Sequence, residues 1–368
     1  MIALIIGLCV SLATSFALTP LLIRIVHRLH YGQYIRQDGP QSHLLKRGTP
    51  TMGGVAIILS ILLGWACSAL YRWAAYGSVP SESALLVLFP MVSMGLLGFI
   101  DDFAKVRKKQ NLGLSVKAKF IGQFIFATIY AVLALLIPTR SGFPAARADV
   151  SYIEAPIVSF DFAGRAVAVI LFVVWVNFLL TAWTNAVNLT DGLDGLAAGS
   201  SMAAFVGYGM IALWQSYHIQ GDPTASGFTY TVSDPQDLTI IAFCAVAACF
   251  GFLWYNTNPA KIFMGDTGSL ALGGLFAAIS IATHTEVLAV IMGGLFVMET
   301  LSDVIQVGYF KMTHRRVFKM APIHHHFELE GWHENTVVVR FWMIEILFVI
   351  IGLTLFYGNW IAHSGPLT

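Results

Sequence analysis

Ten stretches of this chain are apolar and long enough to cross a lipid bilayer, and no other feature restricts its fold as much. They cover residues 2–24, 52–73, 84–100, 120–138, 166–187, 196–217, 238–256, 269–284, 287–310 and 337–360. A hydrocarbon core about 30 Å thick needs about 20 apolar residues per helix. Lipid offers no partner to an exposed backbone N–H or C=O, so spanning runs of this kind are helical. Composition agrees: 11% of the 368 residues are charged and 57% hydrophobic, against about 25% charged in soluble domains. The chain is therefore expected to be an all-α integral membrane protein of about ten transmembrane helices, a single polytopic domain over residues 1–368. The ninth run carries Gly293-Gly294, then Glu299 and Asp303, and is expected to be bent or broken there.

The first run has no Lys or Arg before Arg24, whereas a signal peptide places positive charge ahead of its apolar core. It is expected to persist as the first helix. Cys9, Cys67, Cys244 and Cys249 all lie within apolar runs without metal-ligand spacing, and are expected to act as small apolar residues.

Orientation follows from Lys and Arg, which accumulate in cytoplasmic loops. Of the 21 basic residues, only Arg72, Arg140, Arg147 and Arg165 fall in or beside even-numbered loops. The others lie in or beside the odd loops, including Lys46, Lys105, Lys109, Lys117, Lys119, Lys261 and Lys319. Odd loops are thus expected in the cytoplasm and both termini outside.

The same odd loops carry the unusual polar sequence. The first holds SHLLKRGTPTMGG (42–54), the third opens on Asp101-Asp102 with Lys105 after them, and the fifth reads NLTDGLDGL (188–196). The seventh reads NTNPAKIFMGDTGSL (256–270), and the ninth contains APIHHHFE (321–328). The even loops show generic acids and turn residues. Adjacent carboxylates at a membrane boundary repel one another and are costly near lipid. Asp101 and Asp102 therefore suggest a divalent-cation site or a base facing phosphate, with solvated helix-end charges as the plain alternative. Asp191 is placed to cap a helix starting near Gly192, which leaves Asn188 and Asp194 unexplained. Asp266, between Gly265 and Gly268, adds a third acid on the same face. Several Asp without Cys favour Mg²⁺ or Mn²⁺ over zinc. His324, His325 and His326 are consecutive, so on a helix they diverge; a phosphate or sugar contact suits them better than one shared metal. Carboxylates, lysines and histidines converging from separate loops suit metal-assisted phosphoryl transfer. No Walker A pattern is present, which argues against an ordinary ATPase.

Together these motifs resemble the phospho-N-acetylmuramoyl-pentapeptide transferase family, within the polyprenyl-phosphate N-acetylhexosamine-1-phosphate transferases. Five motifs in the family's order, nearly end to end, carry the resemblance, and APIHHHFE favours the muramoyl-pentapeptide branch over the N-acetylglucosamine one. The resemblance implies transfer of phospho-N-acetylmuramoyl-pentapeptide from its UDP derivative to undecaprenyl phosphate, giving lipid I and UMP, with Mg²⁺ as cofactor. It implies a homodimer in the bacterial inner membrane, with the active site on the cytoplasmic face and no nucleic-acid partner. By motif, Asp266 matches the metal-binding aspartate, with Asp101 and Asp102 beside the lipid phosphate and able to share the metal; these three and His324 are the catalytic candidates. Lys46, Thr51, Lys105, Lys109, Lys117, Asn188, Asp191, Gly192, Leu193, Asp194, Asn256, Phe263, Ser269, His325 and His326 are the substrate-binding candidates. A carrier reading competes through Glu299, Asp303 and Glu345, acids inside apolar runs of the kind transporters use.

Overall fold

A computed structural model describes residues 1–28, 46, 48–108, 113–140 and 142–364. Lys109 lies outside the described residues. The helices are α1 (Ile2–Arg28), α2 (Gly54–Tyr76), α3 (Glu82–Lys108), α4 (Val116–Leu136), α5 (Arg165–Thr190) and α6 (Leu196–Tyr217). They continue with α7 (Pro235–Asn256), α8 (Gly265–Ala282), α9 (Glu286–Met292), α10 (Gly294–Thr313), α11 (Ile323–Leu329) and α12 (Glu334–His363). Among the described residues, nine helices are long and apolar enough to span a membrane. The pair α9 and α10, bent by 85°, brings the number to ten where it counts as one broken span.

The break falls where the glycine pair stands, for a steric reason. A Cβ at Gly293 would lie 2.8 Å from the Trp183 ring, and one at Gly294 2.3 Å from the Phe348 ring. The corner also exposes N–H groups that no preceding turn can satisfy. Buried Glu345 accepts one of them, from Leu295, at 2.9 Å. That structural task accounts for one acid of the carrier reading.

Helix α8 is the axis of the bundle, buried from Thr267 to Ala282. Its small residues admit neighbouring backbones, the usual basis of helix association in lipid. Outward-facing Leu63, Phe124, Ile170 and Ile350 are exposed, as lipid contact requires.

Most helices run further than their apolar runs, and three of them thereby take in site residues. α3 takes in Asp101 and Asp102, α5 takes in Asn188, and α8 starts at Gly265 and so holds Asp266 in its first turn. An apolar run ends at its first charge, whereas backbone hydrogen bonding does not.

The connection between α4 and α5 forms an antiparallel ribbon, β1 (Asp149–Ser151) and β2 (Pro156–Ser159), pairing Val150 with Val158. Acids at this end of the bundle are engaged rather than generic. Glu154 binds Arg147, Thr231 and His284, and Asp237 binds Arg72 and Ser81.

Candidate active site

The polar motifs gather where α2, α6, α8 and α12 begin and α3, α5 and α7 end. Asp101, Asp102 and Asp266 each bring one carboxylate oxygen within 4.8 Å of the others. Backbone contact makes this approach possible. A Cβ at Gly98 would lie 2.1 Å from the Asp266 carbonyl oxygen, and one at Gly54 2.0 Å from the Gly268 nitrogen. The glycines preceding the acid pair and following PTM therefore let α3 and α2 rest directly on the first turn of α8.

The three acids have different surroundings. Asp102 Oδ2 accepts from the Thr267 backbone N–H at 2.9 Å and its hydroxyl at 2.7 Å, and Oδ1 accepts from the Asp266 N–H at 3.2 Å. It holds the first turn of α8 as an N-cap supplied by another helix. Asp101 Oδ1 accepts from the Leu114 N–H at 2.7 Å, and Oδ2 faces Lys105 Nζ at 2.6 Å. Asp266 Oδ2 meets Lys105 Nζ at 3.1 Å and Lys119 Nζ at 2.6 Å. The Asn188 amide, turned to satisfy its neighbours, donates to Asp266 Oδ1 at 3.2 Å and Ser269 Oγ at 3.3 Å and accepts from Lys119 at 3.1 Å.

Asp191 is not a cap for a helix starting near Gly192. It closes α5, its N–H donating to Asn188 O at 3.2 Å, and α6 begins only at Leu196 after Gly195 at φ +82°. Burial first, then the charges of Asp266 and Asp102, hold the Asp191 carboxyl well above the usual range. The glycine in αL geometry ends the turn where a β-carbon would be strained.

A second cluster joins four segments. Lys46 Nζ donates to Asp194 Oδ1 at 2.8 Å and Glu334 Oε1 at 2.5 Å. Glu334 also accepts from the Asp194 N–H at 2.9 Å and from Asn258 Nδ2 at 2.8 Å. The Ala260 N–H completes Asp194 at 3.0 Å. Nearby, Phe263 N–H donates to Pro50 O at 2.8 Å and Gly53 N–H to Phe263 O at 2.9 Å, so the segment with buried Thr51 is stitched to the one with Phe263. Asn256, also buried, donates to Ile262 O at 2.8 Å. Leu193 packs with Leu295 and Phe341.

The three histidines lie on α11 and diverge. His324 is fully buried beside Glu299, with Nδ1 to Oε2 at 3.0 Å. His325 Nδ1 faces Glu328 at 2.8 Å, and His326 Nδ1 accepts from the Lys319 N–H at 3.2 Å. Lys117 is exposed on the first turn of α4, and it is Lys119 that reaches Asp266. Lys119, Glu334, Asn258, Thr267 and Glu299 were not among the site residues expected from sequence. NTNPAK places Asn258 in a motif, and Glu334 lies three residues ahead of the last apolar run, but neither position reveals which side chain it meets.

The chain matches the family model described as Glycosyl transferase family 4 over residues 84–284, and Phospho-N-acetylmuramoyl-pentapeptide-transferase signature 1 over residues 46–58. Among curated proteins, the phospho-N-acetylmuramoyl-pentapeptide-transferase of Bifidobacterium longum is 77% identical over 367 residues, covering 100% of both chains. The protein of that name from Pseudarthrobacter chlorophenolicus is 52% identical, and that from Beutenbergia cavernae 51%, each covering 98% of this chain and 100% of the relative.

Proposed function

The chain belongs to the phospho-N-acetylmuramoyl-pentapeptide-transferase family and is a membrane phosphotransferase; from that premise we propose that it joins phospho-N-acetylmuramoyl-pentapeptide, taken from the UDP derivative, to undecaprenyl phosphate in a Mg²⁺-dependent reaction. The observation that carries the proposal is the convergence of Asp101, Asp102 and Asp266 with Lys105 and Lys119. Three carboxylates and two ammonium groups leave one excess negative charge. The donors are oxygens without Cys, the set a hard divalent cation prefers. Asp266 and Asp101 would hold Mg²⁺, with an oxygen of Asp102 in reach. When bound, Mg²⁺ supplies charge neutralisation at the diphosphate.

The chain's own residues supply position. Lys105 and Lys119 lie against the carboxylates, where they can neutralise phosphoryl oxygens in the transition state. The nucleophile is an oxygen of the lipid phosphate. Its new bond forms to the β-phosphorus, the bond from that phosphorus to the bridging oxygen breaks, and UMP leaves. A phosphomonoester with a second pKa of about 6 is already largely dianionic at neutral pH, so placement matters more than base catalysis. Direct attack is favoured over a phospho-aspartate because both Asp102 oxygens are occupied by the first turn of α8. The basic residues beside this end favour a cytoplasmic site with outside termini; the homodimer and the inner membrane rest on the family resemblance.

The test is UMP release by purified protein in detergent. Release that requires both substrates and Mg²⁺ is expected. Release with UDP-N-acetylglucosamine instead would move the protein to the sister branch, and no release from folded protein would overturn the proposal.

A further inference from the structure

His324 and Glu299 have no exposed surface, and they face one another from α11 and α10. At 3.0 Å the Glu299 oxygen and His324 Nδ1 form one hydrogen bond, and with the carboxylate ionised Glu299 accepts and Nδ1 donates. That places hydrogen on Nδ1 and leaves Nε2 as the atom on the side away from Glu299. Nε2 points at the turn between α5 and α6: a Cβ added at Gly192 would lie 2.3 Å from it. Gly192 adjoins Asp191, whose carboxyl feels the charges of Asp266 and Asp102. Nε2 has no hydrogen-bond partner among the described residues, so a bound water, ion or substrate group is the partner such a buried atom calls for. The second oxygen of Glu299 has none either, so this carboxylate is committed to His324 alone.

We infer that Glu299 is a positioning residue that fixes His324 with Nε2 presented to the bound sugar diphosphate. The inference rests on the transferase function proposed above. The arrangement follows the logic of a carboxylate that sets the tautomer of a working imidazole and stabilises its cation. With a neutral ring, Nε2 accepts a hydrogen bond from a substrate hydroxyl; with a protonated ring, Nε2–H donates to a phosphoryl oxygen. In both states the Nδ1–H stays on Glu299. Gly192 is part of the device, because any side chain there occupies the place of Nε2. An acid inside an apolar run, suggestive of transport from sequence, thereby acquires a role in transfer chemistry.

The experiment compares wild type, Glu299→Gln, His324→Asn and the double variant, as full-length protein in detergent. Glu299→Gln keeps the side-chain volume and one acceptor. We expect kcat to fall on the order of 10- to 100-fold, the range for losing an orienting partner of a functional imidazole, with KM for the UDP-sugar and the unfolding midpoint unchanged. The double variant is expected to lose no more than His324→Asn alone, as for residues acting as a unit. If the pair only ties α10 to α11, Glu299→Gln lowers the unfolding midpoint and leaves kcat intact, and the inference is overturned. A second measurement does not depend on turnover. In ¹⁵N-histidine-labelled wild type, the signal absent from His324→Asn is expected to report a protonated Nδ1; a neutral Nε2–H tautomer would overturn the inference even where Glu299→Gln does not fold. Failure of wild type to release UMP would instead remove the transferase premise and leave the tautomer result standing.

Discussion

Gly98 of α3 lies against the backbone of Asp266 in the first turn of α8, so close that a Cβ at position 98 would stand 2.1 Å from the Asp266 carbonyl oxygen. Neither helix can yield to it without moving a carboxylate. Overpacking of this kind typically costs about 1–3 kcal/mol, and here the displaced group is in the reaction centre. Gly98→Ala is expected to lower the unfolding midpoint and reduce kcat at least about tenfold, a modest part of what misplaced catalytic groups can lose. Gly308→Ala on α10, where an added Cβ meets nothing within 4 Å, is the control, with activity unchanged. Equal activity of the two variants would show that α3 need not touch α8 so closely.

Lys119 and Lys117 sit two residues apart on α4, so they point in different directions. Only Lys119 is placed on Asp266, at 2.6 Å; Lys117 is exposed. Lys119→Ala is expected to reduce kcat by about 100-fold, the scale for one lost donor to a developing anion, and Lys117→Ala by at least about tenfold less. Steady-state kinetics on both variants decides it. The reverse order would put the principal phosphate contact at 117.

That pair also shows what could and could not be read before folding. The ten spans were legible because lipid forbids other solutions, and the kink because Gly293-Gly294 interrupts an apolar run beside acids. The polar motifs were legible as one site because alternate loops bring them to one side of the membrane. The rotation of each helix was not legible. In an apolar span, both faces look alike, so Lys117 and Lys119 could not be separated. Asp191 followed by glycine fits an N-cap equally well as the end of α5. Glu345 and Glu299 resembled transport acids because their partners, the Leu295 N–H and His324, are brought to them only by the α9–α10 corner and by α11. The Glu154 network was missed because its members come from three separate parts of the chain.

Glu334 touches three other segments of the second polar cluster. It accepts from Lys46, from the Asp194 N–H and from Asn258. Glu334→Gln keeps the shape but removes the charge facing Lys46 Nζ at 2.5 Å. Because Lys46 and Asp194 are matched by motif to the nucleotide cleft, KM for the UDP-sugar is expected to rise about tenfold, worth about 1.4 kcal/mol, with a smaller change in kcat. Binding of UMP alone, measured by calorimetry, should weaken in parallel. Unchanged binding would mean the cluster is only a brace.

At the opposite end, Glu154 joins the β1–β2 ribbon to His284, Thr231 and Arg147. Burial alone would raise its carboxyl, but His284, Thr231 and Arg147 outweigh burial and hold it at about 2, against an ordinary 4.5. A depressed carboxyl contributes stability that is fully present above the unfolded value and is lost as pH falls towards the folded one. The unfolding midpoint of wild type should therefore exceed that of Glu154→Gln at pH 7, and the gap should close between about pH 4.5 and pH 2. A gap that stayed constant over that interval would show that the Glu154 carboxylate is not what ties the ribbon down.

Asp101 and Asp102 are adjacent in sequence, yet they perform different tasks. Asp102 spends both oxygens on Thr267 and the Asp266 N–H, and so holds the turn that carries Asp266. Asp101 meets the Leu114 N–H and Lys105 and caps no helix. Replacing a carboxylate cap with a weaker acceptor costs about 0.5–2 kcal/mol, so Asp102→Asn should lose both turnover and thermal stability. Asp101→Asn removes one of three crowded negative charges, and should lose turnover while its unfolding midpoint stays level or rises. The two variants, compared by scanning calorimetry and by UMP release, separate the roles. If a covalent phospho-aspartate formed on Asp102, single-turnover trapping without lipid would find it on that residue, and the α8 turn would have to release its carboxylate in each cycle. With three donors on it, that release is unfavourable, so trapping is expected to recover no phospho-sugar on Asp102.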